Sequence, residues 1–198
     1  MAESAWQDSL MTHSPPTPET VSTVATDAGM LALWNPQRFA GIVDDDTWDL
    51  QLGEDEDVER HIRTGALVPV NIRSDGAFGV LVRTGGVGLF AQLTERESTH
   101  RLVTSDAYLL HSSGQVWLSG IEAVGAEAWP GTVRCDLPVG CYSVVIHLIA
   151  WEDEPGTVYE DGVPSETALP DFVVLINPAV SEQDTFRSAV ETFDKAED

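Results

Sequence analysis

Between residues 66 and 176 the apolar side chains fall in short runs, each closed by turn-forming residues, and no stretch there holds a helical period. Strands this short, recurring about every ten residues, predict an all-β domain, because each can bury a face only against another β layer. Runs 66–72 and 77–83 flank Ser74-Asp75-Gly76, a hairpin signal, and Pro69 confines the first run to a sheet edge or bulge. A further run covers 87–93, after Thr84-Gly85-Gly86. Two more hairpins are predicted where runs 107–111 and 115–121 flank Ser112-Ser113-Gly114, and where 132–137 and 142–151 flank Pro138-Val139-Gly140. The 142–151 run is apolar on both faces and belongs in mid-sheet, and 172–176 supplies the last strand. The expected fold is an antiparallel β-sandwich of about seven or eight strands.

The flanks carry different signals. Residues 1–26 read as a flexible N-terminal tail, because His13-Ser14-Pro15-Pro16-Thr17-Pro18 has no apolar period and its prolines oppose a helix. The β-sandwich domain is placed at 27–178, and 179–198 is either an acidic tail or a short helix carrying Phe186, Val190 and Phe193. Inside the domain, residues 44–59 hold nine acids in sixteen positions. Their apolar residues, Trp48, Leu50, Leu52 and Val58, are sparse, which predicts a loop leading into a helical turn at about 55–63, stopped by Gly65. A second acidic stretch, 152–170, contains Pro155, Gly156, Gly162 and Pro164 and reads as a long loop.

Charge excludes several functions. The 198 residues include 33 acids and 10 bases, for a net charge of −23, and six of the ten bases lie between Arg60 and Arg101. A field of that sign repels nucleic acid and anionic membrane and attracts cations or basic proteins. Adaptation to salt, or the codon bias suggested by nine arginines against the single Lys195, also produces acidity, so charge alone does not assign a role. With no membrane-length apolar run and no basic-then-apolar leader, a cytoplasmic location is expected.

Catalytic signatures are missing. The chain has no Gly-x-Ser-x-Gly elbow, P-loop or dinucleotide fingerprint, and no cofactor is expected. His61, His100, His111 and His147 show no metal-ligand spacing; His147, mid-strand between Val145 and Ile149, is the first to inspect. The run Asp44-Asp45-Asp46-Thr47-Trp48-Asp49 lacks the glycine and distal glutamate of a calcium loop. Cys135 and Cys141 sit symmetrically about Pro138, where a hairpin would bring them within disulfide reach; a reducing compartment keeps them as thiols.

One resemblance is carried by named residues. Leu137-Pro138-Val139-Gly140-Cys141-Tyr142 running into an apolar strand, with a final strand at 172–176, is similar to the bacterial competence protein J family. Trp48 after the aspartates, Gly65-Ala66 and Asp75-Gly76 fall in the same order, and the resemblance covers about residues 29–177. It implies a small acidic β-sandwich whose best-known role is inhibition of a DNA-degrading nuclease. This chain adds the first 26 residues, the 152–170 loop and the C-terminal segment.

The sequence therefore points to a non-enzymatic acidic protein that neutralises a basic partner such as a nuclease or toxin. Its expected binding surface joins Asp44, Asp45, Asp46, Trp48, Asp49, Glu54, Asp55, Glu56 and Asp57 to Glu152, Asp153 and Glu154, with Trp48 or Trp151 exposed as an anchor. Two other classes compete. A carbohydrate-binding module would display Trp117, Trp129 and Trp151 as a platform, and a metal-dependent β-barrel enzyme would gather two or more histidines.

Overall fold

The longest strands set the architecture. In the computed structural model, which describes residues 18–86, 88–157, 164–180 and 185–193, β6 (Tyr108–Gly120) and β7 (Val133–Ile149) pair antiparallel along almost their whole length. Both predicted turns in this region are interruptions inside a strand. The ladder shifts register between Ser112 and Gly114, so that Ser112 faces Gly140 while Gly114 faces Leu137. Two sets of turn residues thus lie opposite each other, and they bend one ribbon instead of closing two hairpins. Gly114 takes φ +115°, and Ser112 Oγ donates to Leu137 O at 2.6 Å while accepting from Gly114 N at 3.1 Å. Pro138, which has no N–H, falls where the ladder is already interrupted.

The other strands attach to either side of this bend. Beyond it, β6 pairs with β2 (Met30–Trp34), which pairs with β3 (Leu67–Asn71). On the other side, β7 pairs with β8 (Phe172–Pro178) and with the short β5 (Arg101–Thr104). Strand β8 then pairs with β4 (Gly76–Thr84), and β4 with β1 (Glu19–Thr26). The order is β1-β4-β8-β7-β6-β2-β3, with β5 beside β7. Among the described residues this is one eight-stranded sheet, and β4 and β8 run parallel, so the expected purely antiparallel arrangement is corrected to a mixed one. Burial explains the parallel pair. Phe172, Val174 and Ile176 enter the main core, while Val173 and Leu175 enter a second cluster with Leu81, Ala91, Ile149, Trp151 and Leu169. Covered on both faces, β8 is the kind of strand that tolerates a parallel neighbour.

Further expectations change. Ser74-Asp75-Gly76 does not join paired strands, because β3 pairs with β2 and β4 with β1. The expected tail ends early: Glu19-Thr20-Val21-Ser22-Thr23-Val24-Ala25-Thr26 is β1, a stretch rich in β-branched residues that turns Val24 and Thr26 inward. Residues 1–17 lie outside the described chain, as does the centre of the acidic 152–170 loop, 158–163. In place of a strand at 87–93 there is an isolated bridge between Gly86 and Leu89. The C-terminal stretch 185–193 forms no helix. It runs as a strap, with Arg187 N bonded to Ala107 O, Phe193 N bonded to Asn71 O and the Phe193 ring in the main core.

A buried ion pair fastens the sheet to α3 (Glu95–Thr99). Arg83 on β4 donates from both terminal nitrogens to Glu97, at 2.8 and 2.9 Å, and from Nε to Glu19 on β1 at 2.6 Å. Glu97 also closes the α3 capping box, accepting from Thr94 N at 2.7 Å. Burial alone would raise the Glu97 carboxyl, but the bonds from Arg83 and Thr94 outweigh it and hold the carboxyl below its ordinary value.

Breaking this pair leaves the buried guanidinium with Glu19 in place of two carboxylates, so Glu97→Gln is expected to lower unfolding free energy by about 2–3 kcal/mol in urea titrations. Because the folded Glu97 value is depressed, its contribution is complete above the unfolded carboxyl range and lost as pH falls through the folded value. The variant therefore has a shallower loss of stability on the acid side than the parent. Gly114→Ala, forced into a positive φ at the bend, is expected to cost roughly 1–3 kcal/mol in the same titration.

Candidate partner-binding cleft

The aspartate run starts a helix instead of forming a loop. Asp44 caps α1 (Asp45–Leu52): its Oδ1 accepts from Thr47 N at 2.9 Å, and Thr47 Oγ1 accepts from Asp44 N at 3.1 Å. Bonds from the Thr47 side chain and backbone hold the Asp44 carboxyl below its usual value. Asp45 and Asp46 occupy the first turn, where the helix dipole favours negative charge. The predicted helical turn at 55–63 is α2 (Asp55–Arg63), with Asp55, Glu56 and Asp57 in its first turn and Arg60, His61 and Arg63 in its last. Gly65 follows it with φ +65°. Asp57 is engaged by Arg60 at 2.6 Å.

Between α1 and the segment 121–129 lies a cleft of about 600 Å³. Trp48 Nε1 donates to Ile121 O at 3.1 Å and Ala126 N donates to Ile42 O at 2.8 Å, so the walls are tied together at two points. Five carboxylates line it, those of Asp44, Asp45, Asp49, Glu122 and Glu127, and no Lys, Arg or His is among its described lining residues. Glu122 is oriented by Thr26 Oγ1 at 3.0 Å and Asp27 N at 3.2 Å, both donating to its carboxylate. Apolar surface is interleaved: Trp48 is half-buried against the main core, while Trp129 is 55 % and Val43 70 % exposed. Acid around an accessible indole suits a cationic side chain, which gains from the carboxylates and from the face of the ring.

Of the residues expected at the binding surface, Asp44, Asp45, Trp48 and Asp49 meet in this cleft. Asp46 is exposed on the first turn of α1, and Glu54, Asp55 and Glu56 are exposed where α2 begins. Glu152, Asp153 and Glu154 sit elsewhere, in and just after a 3-10 turn that follows β7. Glu154 is bound by Arg96 through Nε at 2.7 Å and Nη2 at 2.5 Å, which keeps its carboxyl low. The two acidic segments rest on different apolar clusters, with Leu52, Val58 and Ile62 in the main core and Trp151 in the second. Neither expected anchor is freely exposed, since Trp151 is buried and donates to Asp171 Oδ1 at 2.8 Å. Among the described residues the exposed indole is Trp129, a member of the alternative sugar platform. Trp117 and Trp151, its companions in that platform, are buried.

Among the described residues the histidines do not gather into a metal site. His61 packs on Phe39 with ring centroids 4.6 Å apart, and His111 lies beside Cys141. His147 is buried with Nδ1 3.0 Å from Thr104 Oγ1; burial pushes it down to about 4, so it is neutral near pH 7. Among the described residues no three His, Cys, Asp or Glu side chains gather to hold a metal, and no helix is long and apolar enough to cross a membrane.

Comparison with known proteins finds likeness in fold. No family description and no curated sequence matches the chain. A solved structure titled crocagin biosynthetic gene J superposes with a TM-score of 0.50 at 14 % identity, covering 81 % of this chain and 98 % of its own. ComJ from Bacillus subtilis, described as an inhibitor of the DNA-degrading activity of NucA, gives a TM-score of 0.49 at 9 % identity, covering 83 % and 100 %.

Trp48 and Trp129 differ in what they support, and denaturation separates them. Trp48→Ala is expected to cost about 2 kcal/mol, through lost packing and the lost bond to Ile121. Trp129→Ala should leave stability within about 0.5 kcal/mol.

Proposed function

We propose that the protein is a non-enzymatic binding domain whose acid-lined cleft receives a cationic side chain of a basic protein, in the manner of a nuclease inhibitor or immunity protein. The observation that carries this reading is the cleft itself, with five carboxylates, two tryptophans and no basic residue among its described lining. A net charge of −23 speeds the approach of a basic partner from any direction, and the cleft supplies a place for it to seat. A nuclease is the partner class favoured by its basic substrate channel and by the resemblance of the 137–142 and 172–176 patterns to competence protein J. Trp129 at the mouth offers the aromatic contact on which such interfaces concentrate their energy.

The test uses immobilised protein and the soluble fraction of its source cells. Basic proteins retained at low ionic strength are expected to elute by about 0.5–1 M salt. Retention should fall at least about tenfold for the triple variant Asp44→Asn, Asp45→Asn, Asp49→Asn, in which the first substitution keeps a side-chain oxygen to cap the helix. A second triple, Asp46→Asn, Glu56→Gln, Asp153→Asn, removes the same charge outside the cleft and should retain its partners. Equal loss in both triples contradicts the cleft and leaves only non-specific attraction.

A further inference from the structure

We propose that Cys141 is a reactive thiol, with His111 as its base, and that it undergoes reversible S-thiolation by low-molecular-weight disulfides. The regular register of the β6–β7 ladder makes the pair. His111 on β6 and Cys141 on β7 are directly opposed across the ladder, and Sγ lies 3.2 Å from His111 Nδ1. Cys141 is exposed. It is also not part of the acid-lined cleft, so this chemistry stands or falls independently of the partner proposed above.

The imidazole is held in place by its surroundings. His111 N donates to Gly65 O at 2.7 Å, and His111 O accepts from the Nδ2 of buried Asn35 at 2.9 Å. A Cβ at Gly65 would lie 2.5 Å from His111 Cδ2, so the ring occupies space that exists only because residue 65 has no side chain. Helix α2 ends two residues before this glycine, and the chain there lays its backbone against one side of the imidazole while the thiol meets Nδ1.

With its ring proton on Nε2, His111 accepts the Cys141 proton at Nδ1, leaving a thiolate. The thiolate attacks one sulfur of the disulfide, forming the Cys141 mixed disulfide and breaking the original S–S bond. The departing thiolate takes the proton back from the imidazolium and leaves as a thiol. Cys141 is oxidised and the departing half is reduced; no other reactant is needed. The protein's negative charge favours a cationic disulfide such as cystamine over an anionic one such as glutathione disulfide. Cys135 offers no competition, being buried on β7 with its thiol pushed up by that burial.

Folded protein at pH 7 is treated with excess cystamine, and the products are followed by intact mass and peptide mapping. One cysteamine is expected on Cys141, removable by reductant, with Cys135 modified only after unfolding. His111→Gln, which keeps the shape and a hydrogen-bonding amide but cannot take a proton, is expected to react about tenfold more slowly with an unchanged melting curve. If that variant is unstable, the parent alone decides the question: native Cys141 should react faster than the same thiol in denaturant-unfolded chain. Equal rates for parent and His111→Gln, or a native thiol no faster than the unfolded one, overturn the proposal.

Discussion

Every strand of the sheet is placed by one constraint, the paired irregularity in the β6–β7 ribbon. Ser112 and Gly114 on one strand meet Leu137, Pro138 and Gly140 on the other, and the ladder slips there without separating. The slip bends the ribbon and divides its partners, with β2 and β3 beyond the bend on β6, and β8, β4 and β1 on the β7 side. Side chains from both groups can then face one apolar core, where Leu31, Leu33 and Val68 join Val144, Ile146 and Val174. Straight ribbons of 13 and 17 residues would have left these halves apart. The regular register just before this slip sets His111 opposite Cys141.

Charge is organised at two depths. At the surface, acids begin helices and bases end α2, a distribution that the helix dipole stabilises whatever the protein binds. Deep in the fold, Arg83 and Glu97 join β4 to α3 with both side chains about 5 % exposed or less. The cleft collects five carboxylates and no base among its described lining residues. In the proposed complex, a cationic side chain would supply the charge that this lining lacks. Charge complementarity of this kind acts more on association rate and partner choice than on affinity alone.

Much of the β-rich character is legible in the sequence, because alternation and turn residues report strands directly. Pairing is not. Gly114 and Pro138 carry the same local signature whether they close a hairpin or bend a ribbon, and only the opposing strand decides between them. Glu19–Thr26 is hidden by the prolines before it, although its β-branched residues are a usable signal. The Thr94-x-x-Glu97 pattern likewise announces the capping box of α3. At the cleft, Asp44, Asp45 and Asp49 are visible as a run, but Glu122, Glu127 and Trp129 are scattered residues that join them only through tertiary structure. Nothing in the run's composition distinguishes its cleft-lining members from Asp46.

Hydrogen–deuterium exchange, read by mass spectrometry with and without a captured basic partner, tests the central claim most directly. Slowed exchange confined to residues 42–49 and 121–129 is the predicted result, since those segments form the two walls of the cleft. Unchanged exchange in both walls, with protection instead along β1, β3 or the 152–154 turn, would contradict the account.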